Sequence, residues 1–221
     1  MEPPVTLAQP QKSQKFYIVL DFEANCSAEG VTDHEVIEFP AQIVTNAGEV
    51  VDTFRMFVKP TRNPTISPFI HKLTGIEQSS VDSAKPFVEV LQIFMTWLNG
   101  KINPADAVFV TCGHWDLRTM MVQQCQFVGI EVPEPFKRWI NVKNEFAEHC
   151  YCPVKKAKGT GKDRPGSPLG MDGMLKVAGL KLEGRHHSGI DDVKNITRIL
   201  QYMIKLGKFK EPKVNVWSPK P

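Results

Sequence analysis

The stretch Tyr17–Cys26, YIVLDFEANC, runs four aromatic or aliphatic side chains straight into Asp21 and Glu23. A short continuous apolar run of this kind reads as a core strand. Side chains two apart on a strand share a face, so Asp21 and Glu23 lie side by side while Phe22 turns the other way. Two adjacent carboxylates repel, and where they are partly buried one takes up a proton unless a cation sits between them. An all-oxygen donor set suits Mg²⁺ or Mn²⁺ rather than Zn²⁺, which would want His or Cys. The same pair could also mark no more than the point where a strand leaves the core.

Downstream, VIEFPAQIVT (36–45) and VVDTFRMFVK (50–59) are β-rich runs around Asn46-Ala47-Gly48, a hairpin signal. With a first strand over Phe16–Ala24, the domain opens as an antiparallel meander. Phe87, Val90, Leu91, Phe94 and Leu98 form a helical stripe, with Pro86 near its start and Gly100 just past its end. AVFVTC (107–112) and WINV (139–142) read as short strands, each followed by a helix. Further helices are expected near Met171–Ala178, stopped by Gly179, and over Asp191–Leu206. The pattern predicts one α/β domain with a mixed five-stranded sheet, an antiparallel meander followed by alternating helices and strands, flanked by helices. Residues 1–14 read as a disordered lead-in, 15–207 as the domain, and 208–221 as a basic extended tail.

The length of 221 residues suits one domain that needs no disulfide staple, and no run of eighteen apolar residues marks a membrane span. The N-terminus lacks the apolar region of a signal peptide, and five irregularly spaced cysteines suggest reduced thiols. These features predict an intracellular protein, cytoplasmic or nuclear, with no membrane partner. A net charge of +3 is too small to argue for nucleic acid by itself. Its distribution says more, because Lys155, Lys156, Lys158, Lys162 and Arg164 cluster among Gly and Pro between Pro153 and Pro168. Such a loop is either a solvated insertion or a phosphate-tracking element.

Two further acids stand at strand-to-helix junctions, where α/β sheets place their ligand sites. Asp116 follows AVFVTC, and Asp192 opens the last helix behind GRHHSGID. Either alone could be a first-turn acid favoured by the helix dipole. Taken in order, Asp-x-Glu, a later Asp entering a helix, and His-x-x-x-x-Asp resemble the three motifs of the DEDDh exonucleases, whose fold is ribonuclease-H-like. The wording VLDFEANC, VIEFPAQIV, LTGI, VTCGHWDL, WINVK and GRHHSGIDDVKNI resembles the Eri family of 3′-to-5′ exoribonucleases, over about Lys15 to Gly207.

The resemblance implies that Asp21, Glu23, Asp116 and Asp192 are metal-binding carboxylates for two Mg²⁺ or Mn²⁺. It implies that His187, five residues before Asp192, is the general base. His186 does not match that position and is expected to be a surface or loop-anchoring histidine. Ser188 stands where a sister class carries Tyr. Two-metal hydrolysis of nucleic acid with a free 3′ end would release nucleoside 5′-monophosphates. The backbone near Glu23 and Ala24 would contact the terminal nucleotide, beside His187. Trp115 and Phe69 are candidates to stack on its base, with core packing an equal account of either. Asp191 is expected to cap the last helix, and Glu35 and Glu38 to be structural. RNA is favoured as substrate, DNA or both being the alternative. A catalytically silent adaptor is the rival of another class, although a decayed site would not be expected to keep the whole acid set with its histidine.

Overall fold

The computed structural model describes residues 15–26, 34–150 and 168–217. The lead-in at 1–14 and the basic residues Lys155, Lys156, Lys158, Lys162 and Arg164 lie outside the described residues. The first expected strand is divided into β1 (Phe16–Leu20) and β2 (Glu23–Asn25). β3 (Glu35–Thr45) and β4 (Val50–Lys59) make the expected antiparallel hairpin, turning at Gly48 with a φ of 91° that a side chain would disfavour.

Two short helices follow, α1 (Pro68–Thr74) and α2 (Gln78–Asp82), whose Ile70 and Val81 pack with Ile37, Ile66 and Ile76 in a small separate cluster. A two-residue strand, β5 (Lys85–Pro86), precedes α3 (Phe87–Lys101). All five apolar positions of the expected α3 stripe are buried, each stabilising by about 1.5–3 kcal/mol. Gly100 lies inside α3 rather than past it, since hydrogen bonding carries on to Ile102 N–H and Leu98 O.

Beyond β6 (Ala107–Thr111), a π-helical turn over Trp115–Met120 leads into α4 (Met121–Val128). Then come β7 (Arg138–Asn141), α5 (Val142–His149), α6 (Met171–Val177), α7 (Gly189–Lys205) and β8 (Val214–Val216).

The sheet order is β5-β4-β3-β1-β6-β7-β8, with β2 paired to β3. β1 is antiparallel to β3 and parallel to β6, so the sheet is mixed as expected. It has eight strands among the described residues, not five. One of the additional three, β2, is split from the expected first strand, and the others, β5 and β8, hold two and three residues, too few to show a periodicity. The expected tail beyond 207 is partly built into the domain: Phe209 is buried edge-on to Tyr17, and β8 extends the sheet from β7.

Along β1, Ile18 and Leu20 join the core under α3 and α4, whereas Tyr17 and Val19 join the core under α5, α6 and α7. Covering both faces is what allows a strand with no charged side chain before Asp21. Cys26, Cys112, Cys125 and Cys150 are all free thiols. No helix among the described residues is long and apolar enough to cross a membrane.

Candidate active site

Between β1 and β2, Asp21 and Phe22 leave the ladder. The Phe22 N–H donates instead to Asp116 Oδ1 at 3.0 Å, a contact across 94 residues. The Phe22 ring is buried against Phe39. Asp116 is carried by the π-helical turn, a geometry frequent at functional sites because its wider turn re-aims a side chain.

Asp192 arrives on the first turn of α7, two residues further into the helix than expected because α7 begins at Gly189. Gly189 makes the approach possible. A Cβ there would lie 2.9 Å from Pro40 Cγ and 3.1 Å from both the Asp21 carbonyl oxygen and Glu38 Oε2. The Gly189 N–H donates to Glu38 Oε2 at 3.1 Å, and Arg55 Nε donates to Glu38 Oε1 at 2.8 Å. Glu38, fully buried and opposite Glu23 in register, therefore fastens the start of α7 to β3. Glu35 holds a loop, accepting from the N–H groups of Thr61, Arg62 and Asn63 and from the Thr61 hydroxyl.

Asp21, Glu23 and Asp192 each present a carboxylate oxygen, and the three lie within 4.8 Å of one another. Asp116 lines the same cleft, of about 700 Å³, but stands outside this closest group. Asp192 divides its two oxygens: Oδ2 accepts from the His187 N–H at 2.8 Å, and Oδ1 is buried with no partner. A buried oxygen left this way is costly unless something fills it.

Burial, then the charges of Asp116, Glu23, Asp192 and Glu38, push the Asp21 carboxyl well above its usual range. Burial, then Asp192, Glu38 and Asp116, push Glu23 to about 9. Burial also raises Asp116 and Asp192, each to about 6. Oxygen-only donors that repel one another, with one orphaned oxygen among them, fit a hard divalent cation.

His187 has a φ of 66°, in the left-handed region that few non-glycine residues enter. Its ring lies parallel to that of His186, with centroids 4.0 Å apart. Burial, followed by the neighbouring charges of His186 and Arg185, presses its pKa below the usual histidine value, against an opposing pull from Asp172. His186 pairs with Asp172 at 3.5 Å, anchoring its loop to α6. Asp191 does not cap α7, whose N-cap is Ser188. Its carboxylate instead accepts from Arg185 N–H at 3.1 Å and Lys194 Nζ at 3.3 Å, closing the loop that carries the histidines.

Trp115 and Phe69 both line the cleft, 39% and 66% exposed, so neither is a core residue. Ala24 lines it beside Glu23. Two further lining residues, His34 and Lys143, were missed by sequence reasoning, as was the placement of Glu38 behind the acids. His34 packs edge-on against Trp115 at 5.4 Å. No local spacing signals such residues, because each comes from a different element.

The family model described as exonuclease, RNase_T, matches residues 18–200, from inside β1 to inside α7. The chain belongs to this exonuclease family. ERI1 exoribonuclease 3 of Homo sapiens is 36% identical over 202 residues, which cover 90% of this chain and 56% of that protein. The chain thus spans about half the length of the curated relatives it matches.

The nuclease domain of 3′hExo, a DEDDh family member bound to rAMP, superposes with a TM-score of 0.77 at 30% identity, covering 90% of this chain and 96% of that one. The structure of 3′-end specific recognition of histone mRNA stem-loop by 3′-exonuclease superposes with a TM-score of 0.78 at 30% identity, covering 93% and 87%. The exonuclease fold of this chain is ribonuclease-H-like, and DEDDh exonucleases are metal-dependent as a family.

Proposed function

We propose that the chain is a 3′-to-5′ exoribonuclease that releases nucleoside 5′-monophosphates. The observation that carries this is the convergence of Asp21, Glu23, Asp116, Asp192 and His187 on one cleft. The exonuclease match and the RNA and rAMP bound by its structural neighbours support it. The four carboxylates would hold two divalent cations, Mg²⁺ or Mn²⁺, which supply charge neutralisation at the scissile phosphate, an acidified water and stabilisation of the leaving 3′ oxygen.

His187 acts as the proton acceptor. With its pKa pressed down it is neutral at physiological pH, ready to take a proton from the attacking water as the P–O3′ bond breaks. Asp192 Oδ2 fixes the His187 backbone while its carboxylate also stands in the acid group, so a single side chain ties the base to the metal-holding set. Trp115 and Phe69, exposed on the cleft wall, offer apolar faces to the terminal base.

The test is a 5′-labelled single-stranded RNA incubated with Mg²⁺ or with EDTA, beside its DNA counterpart. A ladder shortening from the 3′ end, lost in EDTA and in Asp21→Ala, is expected on RNA. Activity surviving in either would defeat the metal-dependent mechanism. DNA degraded faster than RNA would reassign the substrate.

A further inference from the structure

Arg185 reaches away from its own loop. Its guanidinium donates to the Lys72 carbonyl at 2.5 Å and to the Leu73 carbonyl at 3.3 Å, at the C-terminal end of α1. The last carbonyls of a helix lack intrahelical donors, and a cation there is favoured by the dipole. Gly75, the C-cap in the left-handed conformation, leaves room for this contact: a Cβ at Gly75 would lie 2.3 Å from Arg185 Nη1. α1 is the wall that bears Phe69, Ile70 and Leu73 on the cleft.

The other end of Arg185 is equally constrained. Its backbone N–H is held by Asp191, beside Gly184, where a Cβ would fall 2.4 Å from the Asp191 carboxyl carbon. Two residues on, His187 sits in its left-handed conformation with its N–H on Asp192. A continuous set of contacts therefore runs from the aromatic wall, through one guanidinium, to the loop of the base. Arg185 is solvent-exposed, so these hydrogen bonds can break and re-form at little cost to the fold.

We propose that Arg185 is a positioning residue that couples occupancy of the α1 wall by the 3′-terminal base to the placement of His187. A base seated against Phe69 holds α1, and α1 holds the loop through Arg185. The inference rests on the 3′-exonuclease reading above.

The test is a cycle between protein and substrate. Single-turnover rates are measured for wild type, Arg185→Ala and Arg185→Lys on two RNAs that differ only in having an intact or an abasic 3′-terminal nucleotide. Wild type is expected to cleave the abasic RNA slower by about tenfold or more, the size of a lost base–aromatic stack. Arg185→Ala should lower the rate on intact RNA and compress that ratio to about threefold or less, because coupled groups are not additive. Both bonds come from Nη2 at the far end of the guanidinium; lysine, a shorter side chain without that nitrogen, should compress the ratio too.

An equal rate loss on both RNAs would show a merely structural role and overturn the inference. An unchanged ratio, or a wild type indifferent to the terminal base, would overturn it as well. Thermal melting checks that the variants fold, and if Arg185→Ala does not, Arg185→Lys decides by the same ratio. A wild type that does not shorten RNA from its 3′ end would instead bring down the parent reading.

Discussion

Asp192 shows how much one side chain can do when its two oxygens have different surroundings. One holds the backbone of His187 in a conformation histidine rarely takes, and the other is buried, unpartnered, among like charges. His187→Ala should lower kcat by about 10²–10⁴-fold, the usual loss of a general base. It should leave the thermal stabilisation by Mg²⁺ in place, while Asp192→Asn should lose both; melting curves with and without Mg²⁺ separate the two. The pH profile has a defined sign. A base works only when unprotonated, so activity should rise as pH passes upward through the depressed His187 pKa, with its acid limb below 6.5. At saturating Mg²⁺, which keeps the carboxylates ionised, a limb above that value would assign the proton transfer to another group. His-x-x-x-x-Asp was legible as a spacing, but the left-handed backbone and the divided carboxylate were not, because both follow from what packs around the loop.

The site depends on places where regular elements are interrupted. VLDFEAN alternates as an unbroken strand would, yet the ladder pauses at Asp21 and Phe22, and the N–H freed there is taken by Asp116. Opposite, Glu38 holds the start of α7 with help from Arg55. The two partners are unequal. Arg55 is half exposed and can turn to water, whereas Glu38 is buried and cannot. Arg55→Ala should therefore destabilise by about 3 kcal/mol, the low end for a buried charge that loses its partner. Glu38→Gln, which keeps an acceptor for Gly189, should cost about 1 kcal/mol. Equilibrium denaturation reads the order, and the reverse order would mean that Arg55, not Glu38, carries the burden of burial.

The whole protein is shaped by a concentration of negative charge at the end of its central strand. Asp21, Glu23, Asp116 and Asp192 all have folded pKa values raised above the ordinary carboxylate range. For such groups the folded state binds protons more tightly than the unfolded one, so stability is fully present below the unfolded pKa and is lost as pH rises. Asp116 and Asp192 complete their loss by about pH 6, and Glu23 by about 9. In EDTA the melting temperature should fall between pH 5 and pH 8, and Mg²⁺ should restore it. Asp21→Asn should raise the melting temperature in EDTA at pH 8 while abolishing activity, since it removes a buried carboxyl whose ionisation burial and the neighbouring acids oppose. A melting temperature indifferent to pH in EDTA would mean that the acids are not strained by one another.

Order along the chain was enough to place the central strands, the hairpin and the α3 stripe, because apolar periodicity is a local property that each segment carries with it. It was also enough to single out Asp21, Glu23, Asp116, Asp192 and His187, whose intervals match a known pattern. Two short strands, β5 and β8, escaped, having too few residues to show a period, and β2 was read as part of the first strand; β8 with Phe209 showed that the domain continues past 207. Tertiary structure alone decided that Trp115 and Phe69 face the cleft instead of the core, that Glu38 stands behind the acids, and that Arg185 joins α1 to the loop of His187. These outcomes depend on burial, through-space charge and hydrogen bonds between elements more than a hundred residues apart, quantities that no local stretch contains.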